Sequence, residues 1–173
     1  MKTNIEIKAR AYNFVKQKGL AEQIAESPET LINQDDTFFA VPRGRLKLRI
    51  FSPTQGELIY YERNDTESPK RSNYCISETS NPNKLKGVLS LALPVMGIVR
   101  KKRHLFTIGQ TRIHFDEVES LGNFIEIEVV MKDSQPTDEG LKIANDLMKK
   151  LEIKKEDLID GAYIDLLQIP KTI

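Results

Sequence analysis

The chain has 173 residues, enough for one domain with a substantial core that needs neither disulfides nor a structural metal. Its 26 basic and 25 acidic residues leave a formal charge of +1, which argues against a generally basic surface that binds nucleic acid. The single cysteine, Cys75, excludes an internal disulfide, and no signal-like segment or long apolar run indicates a membrane, so we expect a cytoplasmic protein.

Period-two alternation of apolar and polar residues predicts eight β-strands. They cover residues 4–11, 31–40, 45–51, 57–63, 71–78, 98–108, 111–117 and 123–131. Short stretches that contain proline or glycine separate several of them and are typical of tight turns between antiparallel neighbours. Residues 64–70 carry Asp, Glu, Ser and Pro and predict a longer, mobile loop.

Helical patterns fill the other intervals, over residues 12–25, 81–93, 137–151 and 155–167. The second begins with Asn81 and Pro82, which suit an N-cap followed by a first-turn proline. The third begins with acidic residues and ends in lysines, as the helix dipole favours. We therefore predict one α+β domain over 1–173, with about eight mostly antiparallel strands and helices packed outside.

The polar faces of the predicted strands carry full charges at their centres. In the stretch FIEIEVV, Glu126 and Glu128 share one face, and isoleucine and valine occupy the other. In RLKLRI, Lys47 and Arg49 lie opposite leucine and isoleucine. Further charged or ionisable residues on such faces are Glu6, Lys8, Lys101, Arg103, Arg112, His114 and Asp116. A solvated face would explain any one strand taken alone, but not the whole series.

A closed or nearly closed eight-stranded barrel would remove the sheet edges and enclose these charged faces in a tunnel. Buried charges are costly unless they are paired or bound to a ligand, so the tunnel predicts an occupant of both signs. A polyphosphate bound to Mg²⁺ or Mn²⁺ fits, because hard cations take carboxylate oxygens and basic side chains take phosphate oxygens. A homodimer through the outer helices stays open.

The motifs occur in the order found in a known family. NIEIKAR is similar to an E-x-E-x-K signature, and QDDTFF, GRLKLR, YYERND, VRKKRHLF, TRIHFDEVESLGNFIEIE and GAYIDLL follow it. The chain resembles the CYTH, or triphosphate tunnel metalloenzyme, superfamily, and within it the class IV adenylyl cyclase-like branch, a relative of thiamine triphosphatase. The resemblance covers nearly the whole chain. It implies a small-molecule triphosphate as substrate, Mg²⁺ or Mn²⁺ as cofactor, and neither nucleic acid nor membrane as partner.

The resemblance also assigns roles to individual residues. The metal ligands that it implies are Glu6, Glu126, Glu128 and Glu62. The phosphate-binding residues are Lys8, Lys47, Arg49, Arg71, Lys101 and Arg103. The implied catalytic residues are Lys8, Asp116 and Arg103. One position departs from the signature, because its first glutamate is Asn4 here, which can offer only a neutral oxygen to a cation.

Several alternatives stay open at this point. Asp116 could orient a metal-bound water, orient a lysine or act as a base. Asp35 and Asp36 are either surface acids or site residues, and His114 is expected to form a hydrogen bond within the barrel wall. The activity could be cyclisation of ATP to cyclic AMP and pyrophosphate, hydrolysis of a triphosphate, or binding without catalysis.

Overall fold

The computed structural model describes residues 1–63 and 69–168. The strands are β1 (Lys2–Arg10), β2 (Thr30–Phe39), β3 (Arg45–Ser52), β4 (Gln55–Arg63), β5 (Lys70–Thr79), β6 (Val95–Ile108), β7 (Thr111–Val118) and β8 (Gly122–Val130). The helices are α1 (Phe14–Ile24), α2 (Pro82–Ala92), α3 (Thr137–Lys150) and α4 (Tyr163–Leu167), with a short 3₁₀ helix at Lys155–Asp157. Most of the predicted loop over 64–70 lies outside the described residues.

The eight strands close into a barrel, which confirms the predicted α+β architecture with helices outside. Their order around the barrel is β1-β5-β4-β3-β2-β6-β7-β8, and β8 pairs again with β1. Every neighbouring pair is antiparallel. Strand β6 begins three residues earlier than predicted, because Val95 and Gly97 pair with the end of β2 across a bulge at Phe38 and Phe39.

The core lies between the outer face of the barrel and the helices. Strands β1 and β8 turn isoleucines outward, and Ile5, Ile7, Ile125 and Ile127 are all buried. Helix α3 covers them with its apolar side, which includes Leu147. The other side chains of these strands therefore point into the barrel, since alternate residues of a strand face opposite sides.

Helix α3 approaches the barrel closely at Gly140. A Cβ atom built at this position would overlap the sulfur of Met131 and lie 2.9 Å from Cγ1 of Ile5. The absence of a side chain therefore lets the first turns of α3 rest directly on β1 and β8. Two other helices begin with side-chain caps, because Asn13 Oδ1 accepts from the backbone N–H of Lys16 and Asn81 Oδ1 accepts from that of Lys84.

One end of the barrel is covered by α4 and the residues before it. The Tyr163 ring is buried against Phe124, with ring centroids 5.0 Å apart. The guanidinium of Arg45 on β3 donates two hydrogen bonds to the Asp165 carboxylate, at 3.0 and 2.7 Å. Helix α4 thus fixes the barrel wall and blocks this end. None of the described helices has the length and apolar character needed to cross a membrane.

Candidate active site

The inward side chains of all eight strands enclose a cavity of about 270 Å³, with Tyr163 at its covered end. Its lining contains many charged groups of both signs. The basic residues in the lining are Lys8, Lys47, Arg49, Lys101, Arg103 and Arg112. The acidic residues are Glu6, Asp36, Glu57, Glu126 and Glu128, and they are joined by His114. The lining also contains apolar side chains, among them the partly exposed Ile32, Phe51 and Leu105.

The first charged cluster is built around Asp116, which is fully buried on β7. Arg103, its neighbour across the strand pair, donates two hydrogen bonds to it at 2.7 and 2.6 Å, and the Tyr163 hydroxyl donates a third at 2.8 Å. Burial raises the pKa of Asp116, but the charges of Arg103 and Lys101 outweigh that effect and lower it to about 2. Asp116 therefore stays ionised and holds Arg103 in place.

Lys101 lies in the same cluster with its ammonium 3.7 Å from the Asp116 carboxylate. Burial and the adjacent charge of Arg103 together lower the pKa of Lys101 from 10.5 to about 7. The guanidinium of Arg103 also donates to Glu126 at 2.6 Å. The first cluster therefore contains one permanent cation, Arg103, and one amine, Lys101, that loses its proton near neutral pH.

The second charged cluster lies beside the first, on β2 and β3, because β2 pairs with β6. Asp36 accepts two hydrogen bonds from Arg49, both at 2.8 Å, and one from Lys47 at 3.0 Å. Burial raises the pKa of Asp36, but the charges of Arg49 and Lys47 hold it well below its ordinary value. Asp36 is thus a fixed carboxylate that orients two cations toward the cavity.

The third cluster lies on β1, β7 and β8, and strand register creates it. Lys8 and His114 flank Glu126 on the two sides of β8, and Glu6 and Arg112 flank Glu128. The ammonium of Lys8 is 3.1 Å from Glu126, and Arg112 donates to Glu128 at 3.0 Å. One donor atom each from His114, Glu126 and Glu128 lies within 4.8 Å of the other two.

Glu126 and Glu128 are held in the ionised form. Burial raises the pKa of Glu126, but the charges of Lys8 and Arg103 keep it well below the ordinary value. Burial and the charge of Arg103 lower the pKa of His114, so the imidazole is neutral at neutral pH and keeps a free lone pair. Ionised carboxylates and a neutral imidazole are the forms in which these side chains bind metals.

A sequence model of the CYTH domain matches residues 2–163. The chain belongs to the CYTH domain family. A relative from Methanocaldococcus jannaschii, provisionally named an adenylate cyclase, is 24% identical over 172 residues, which cover 93% of this chain and 88% of that protein. The match to the family confirms the resemblance that the motifs indicated.

Solved structures share the fold of this CYTH protein. The PH1012 protein from Pyrococcus horikoshii OT3 superposes with a TM-score of 0.84 at 28% identity, covering 96% of this chain and 99% of the other. A Hippeastrum protein, provisionally named an adenylyl cyclase and described as having a dominant triphosphatase activity, superposes with a TM-score of 0.61 at 14% identity. That match covers 88% of this chain and 89% of the other. Proteins of this fold are thus named for both reactions.

Family membership implies a divalent cation, and the third cluster fits one. Glu126 and Glu128 supply carboxylate oxygens, which hard divalent cations prefer, and His114 supplies a nitrogen that Mn²⁺ and its neighbours accept. Glu6, opposite Glu128 and also in the cavity lining, extends the set of oxygen donors. The predicted metal residues Glu6, Glu126 and Glu128 therefore lie together.

Two predicted site residues lie elsewhere. Arg71 is exposed on the outer face of β5, since it pairs with the outward-facing Ile5 and its neighbour Ser72 lines the cavity. Glu62 is on the outer face of β4, where it accepts a hydrogen bond of 2.6 Å from Tyr60. Both corrections have one reason: the resemblance placed these residues without reference to the alternation along their strands. The other predicted phosphate-binding residues line the cavity.

The predicted catalytic residues separate into two kinds. Lys8 and Arg103 line the cavity, whereas Asp116 lies behind Arg103 and Tyr163 and does not. Its position and its low pKa make it a positioning residue rather than a base. His104, by contrast, is on the outer face, where its two ring nitrogens contact Glu29 and Glu117.

Four cavity residues with acidic, basic or imidazole side chains were not predicted as members of the site: Asp36, Glu57, Arg112 and His114. Asp36 was left undecided between surface and site, although the alternation with Phe38 places it inside and Asp35 outside. Glu57 was not considered, although it lines the cavity together with Ile59 and Tyr61 of the same strand. His114 was assigned a wall hydrogen bond, although its position between Arg112 and Asp116 on a charged face was a signal for the site.

Proposed function

We propose that this CYTH protein is a divalent-metal-dependent enzyme that binds a triphosphate in the barrel cavity and cleaves it there. The observation that carries the proposal is the enclosure of fixed cations and a cluster of metal-compatible donors in one cavity. Polyphosphate oxygens satisfy the cations, and a cation shared with the phosphates satisfies the carboxylates. A purely structural barrel has no need for so many ionisable groups in its interior.

The cationic side chains of the cavity are preorganised for phosphoryl transfer, because buried carboxylates already hold them in position. Asp116 fixes Arg103, and Asp36 fixes Lys47 and Arg49, so these cations do not have to reorient as negative charge moves along the phosphates. Glu126, Glu128 and His114, with Glu6, would hold the cation. When bound, the cation neutralises phosphate charge and aligns the nucleophile.

The first reaction that we propose is cyclisation of ATP, in which the ribose 3′-hydroxyl attacks the α-phosphorus and pyrophosphate leaves. The M. jannaschii relative carries the provisional name of this activity. Ile32, Phe51 and Leu105 favour it further, because they line the cavity, are partly exposed, and supply an aromatic face on which a base can stack. In this pose the basic clusters hold the leaving pyrophosphate.

Hydrolysis of a triphosphate is the second candidate, and the size of the cavity favours it. A volume of about 270 Å³ is at the lower limit of ordinary ligand pockets, and acidic and basic side chains form much of the lining. A bare tripolyphosphate chain suits such a space better than a nucleoside does. The Hippeastrum protein, which shares this fold, is named for cyclisation but is described as having a dominant triphosphatase activity, and this precedent supports hydrolysis here.

The test is an assay of purified protein with ATP, thiamine triphosphate or inorganic tripolyphosphate, each with Mg²⁺ or Mn²⁺. Cyclic AMP and pyrophosphate in equal amounts would establish cyclisation, and orthophosphate without cyclic AMP would establish hydrolysis. Metal-dependent binding without turnover would contradict the enzyme proposal and leave a sensor of triphosphates.

Two arginine variants compare the contributions of the cavity and of the outer barrel surface to activity. Arg49→Ala is expected to lower kcat/KM by about 100-fold or more, because it removes a buried cation that contacts phosphate. Arg71→Ala removes an arginine from the outer face and is expected to change kcat/KM by less than about twofold. Equal losses in the two variants would overturn the assignment of substrate to the cavity.

A further inference from the structure

We infer that His114 is a nitrogen ligand of the divalent cation, and that the site consequently prefers Mn²⁺ or a neighbouring transition-metal ion to Mg²⁺. The inference rests on the proposed metal dependence and adds to it a ligand and a metal preference. The contacts of the His114 side chain differ from those of a histidine that only forms hydrogen bonds within the barrel wall.

The His114 side chain points into the acidic part of the cavity. The residue is 4% exposed, and its Nδ1 atom lies 3.8 Å from Oε2 of Glu126 and 3.9 Å from Oε1 of Glu128. Among the described residues Nδ1 has no hydrogen-bond partner. A buried ring nitrogen without a hydrogen-bond partner is costly, and its position between two carboxylates favours a cation bound among the three side chains.

The spacing of the donor atoms suits a metal ion. Two ligand atoms that bind one ion at about 2.1 Å each can be no more than about 4.2 Å apart. The two distances from Nδ1 to the carboxylates are within this limit, and all three donors lie within 4.8 Å of one another. Only a small movement of one carboxylate is needed to bring all three donor atoms within this limit.

His104 shows what a structural histidine does in this protein. It is also nearly buried, but on the outer face, and both of its ring nitrogens contact carboxylates, Glu29 and Glu117. The chain contains only these two histidines. His104 is therefore a built-in comparison for His114.

The charge of the cluster explains why a nitrogen ligand matters. Glu126 is paired with Lys8 and Arg103, and Glu128 with Arg112, so much of the negative charge is already neutralised. Asn4, in the same cavity lining, contributes no charge at all. A site with weakened charge binds Mg²⁺ less well, whereas an imidazole adds affinity for Mn²⁺, Fe²⁺, Co²⁺ and Zn²⁺.

The test is pulsed EPR of Mn²⁺ bound to the purified full-length chain, without any nucleotide. We expect a ¹⁴N coupling typical of a directly bound imidazole, which changes to a ¹⁵N coupling when the protein is labelled with ¹⁵N-histidine. His104→Gln should keep the signal, and His114→Gln should lose it. Bound Mn²⁺ without a nitrogen coupling in the unaltered protein would overturn the inference, whether or not any variant folds.

Calorimetric titration supplies an independent measurement. His114→Gln is expected to weaken Mn²⁺ binding about tenfold or more and to change Mg²⁺ binding by less than about threefold, while His104→Gln changes neither. Equal losses for both metals would contradict the preference for Mn²⁺. Circular dichroism confirms that each variant compared is folded.

The outcomes distinguish this inference from the proposed function. Nitrogen-bound Mn²⁺ without turnover of any triphosphate would support the assignment of His114 as a ligand and would contradict the enzyme proposal. Turnover with Mn²⁺ that has no nitrogen ligand would do the reverse. Failure of the unaltered protein to bind Mn²⁺, alone or with tripolyphosphate, would overturn both.

Discussion

Asp35 and Asp36 are adjacent in the sequence, yet each belongs to a different environment. Asp35 lies on the outer face of β2 and accepts a hydrogen bond from Arg100 at 3.0 Å, with both side chains partly exposed. Asp36 is buried in the cavity and binds two cations, Lys47 and Arg49. The ion pairs of Asp36 therefore contribute more to the stability of the fold than the ion pair of Asp35, because water screens only the outer pair.

This contrast gives a prediction for the free energy of unfolding. Asp36→Asn is expected to lower it by about 3 kcal/mol or more, because two buried cations lose their shared carboxylate. Asp35→Asn is expected to lower it by less than about 1 kcal/mol, as for other partly exposed ion pairs. Urea denaturation of the two variants measures the difference.

Tripolyphosphate provides a control for the Asp36 prediction. Its oxygens can replace the missing carboxylate, so it should raise the melting temperature of Asp36→Asn more than that of the unaltered protein. Equal destabilisation by the two asparagine variants would mean that the cavity is as well solvated as the surface.

The sequence predicts the strands of this protein better than it predicts the sites on them. Alternation alone located all eight strands, because one face of each must be apolar to pack beneath the helices. It could not fix the start of β6, where a bulge interrupts the pairing at Phe38 and Phe39. Closure of the barrel was predicted from the number of antiparallel strands, because closure removes the exposed sheet edges.

The residues that the sequence misplaced share a physical cause. Arg71 and Glu62 were assigned to the site by the order of the motifs. Successive side chains of a strand point to opposite faces, so the neighbour of a cavity residue points to the outer face of the barrel. The role of His114 depends on distances to Glu126 and Glu128 across the β7–β8 pair, which only the register supplies. Sequence patterns therefore identified the charged faces, and the register identified the sites on them.

The outer helices allow a prediction that compares two glycines. Gly140→Ala in α3 is expected to lower the free energy of unfolding by about 1–3 kcal/mol, since the new methyl group would collide with Met131 and Ile5. Gly19→Ala in α1, where no atom lies within 4 Å of the new Cβ, is expected to raise it by about 0.5–1 kcal/mol. Thermal and urea unfolding of both variants measure these changes; stabilisation by Gly140→Ala would show that α3 does not rest on the barrel at this point.

Folding brings charges into the barrel and so couples the free energy of unfolding to pH. Lys101 is the clearest case, because burial and the charge of Arg103 lower its pKa from 10.5 to about 7. Between these two values the unfolded chain holds a proton on Lys101 that the folded chain has released. Since the unfolded state then binds more protons, the free energy of unfolding rises with pH over this window.

Replacement of Lys101 should therefore change the pH profile of stability. From pH 7.5 to 9.5 the unaltered protein is expected to gain up to about 1.4 kcal/mol per pH unit from this group, and Lys101→Met should lose that gain. Below pH 7 the unaltered protein carries the buried charge in full, so the variant is expected to be the more stable of the two there. Urea denaturation at half-unit steps of pH gives both curves.

Lys102 supplies the matched control for this experiment. It is the next residue on β6, about half exposed on the outer face, with its ammonium 3.8 Å from Glu117. Lys102→Met should keep the slope of the unaltered protein, because the cavity is unchanged and other groups that titrate in this range are common to all three proteins. If Lys101→Met keeps the slope as well, the ammonium of Lys101 is charged throughout the range, and the cavity then presents one more permanent cation to a phosphate than the pKa of Lys101 implies.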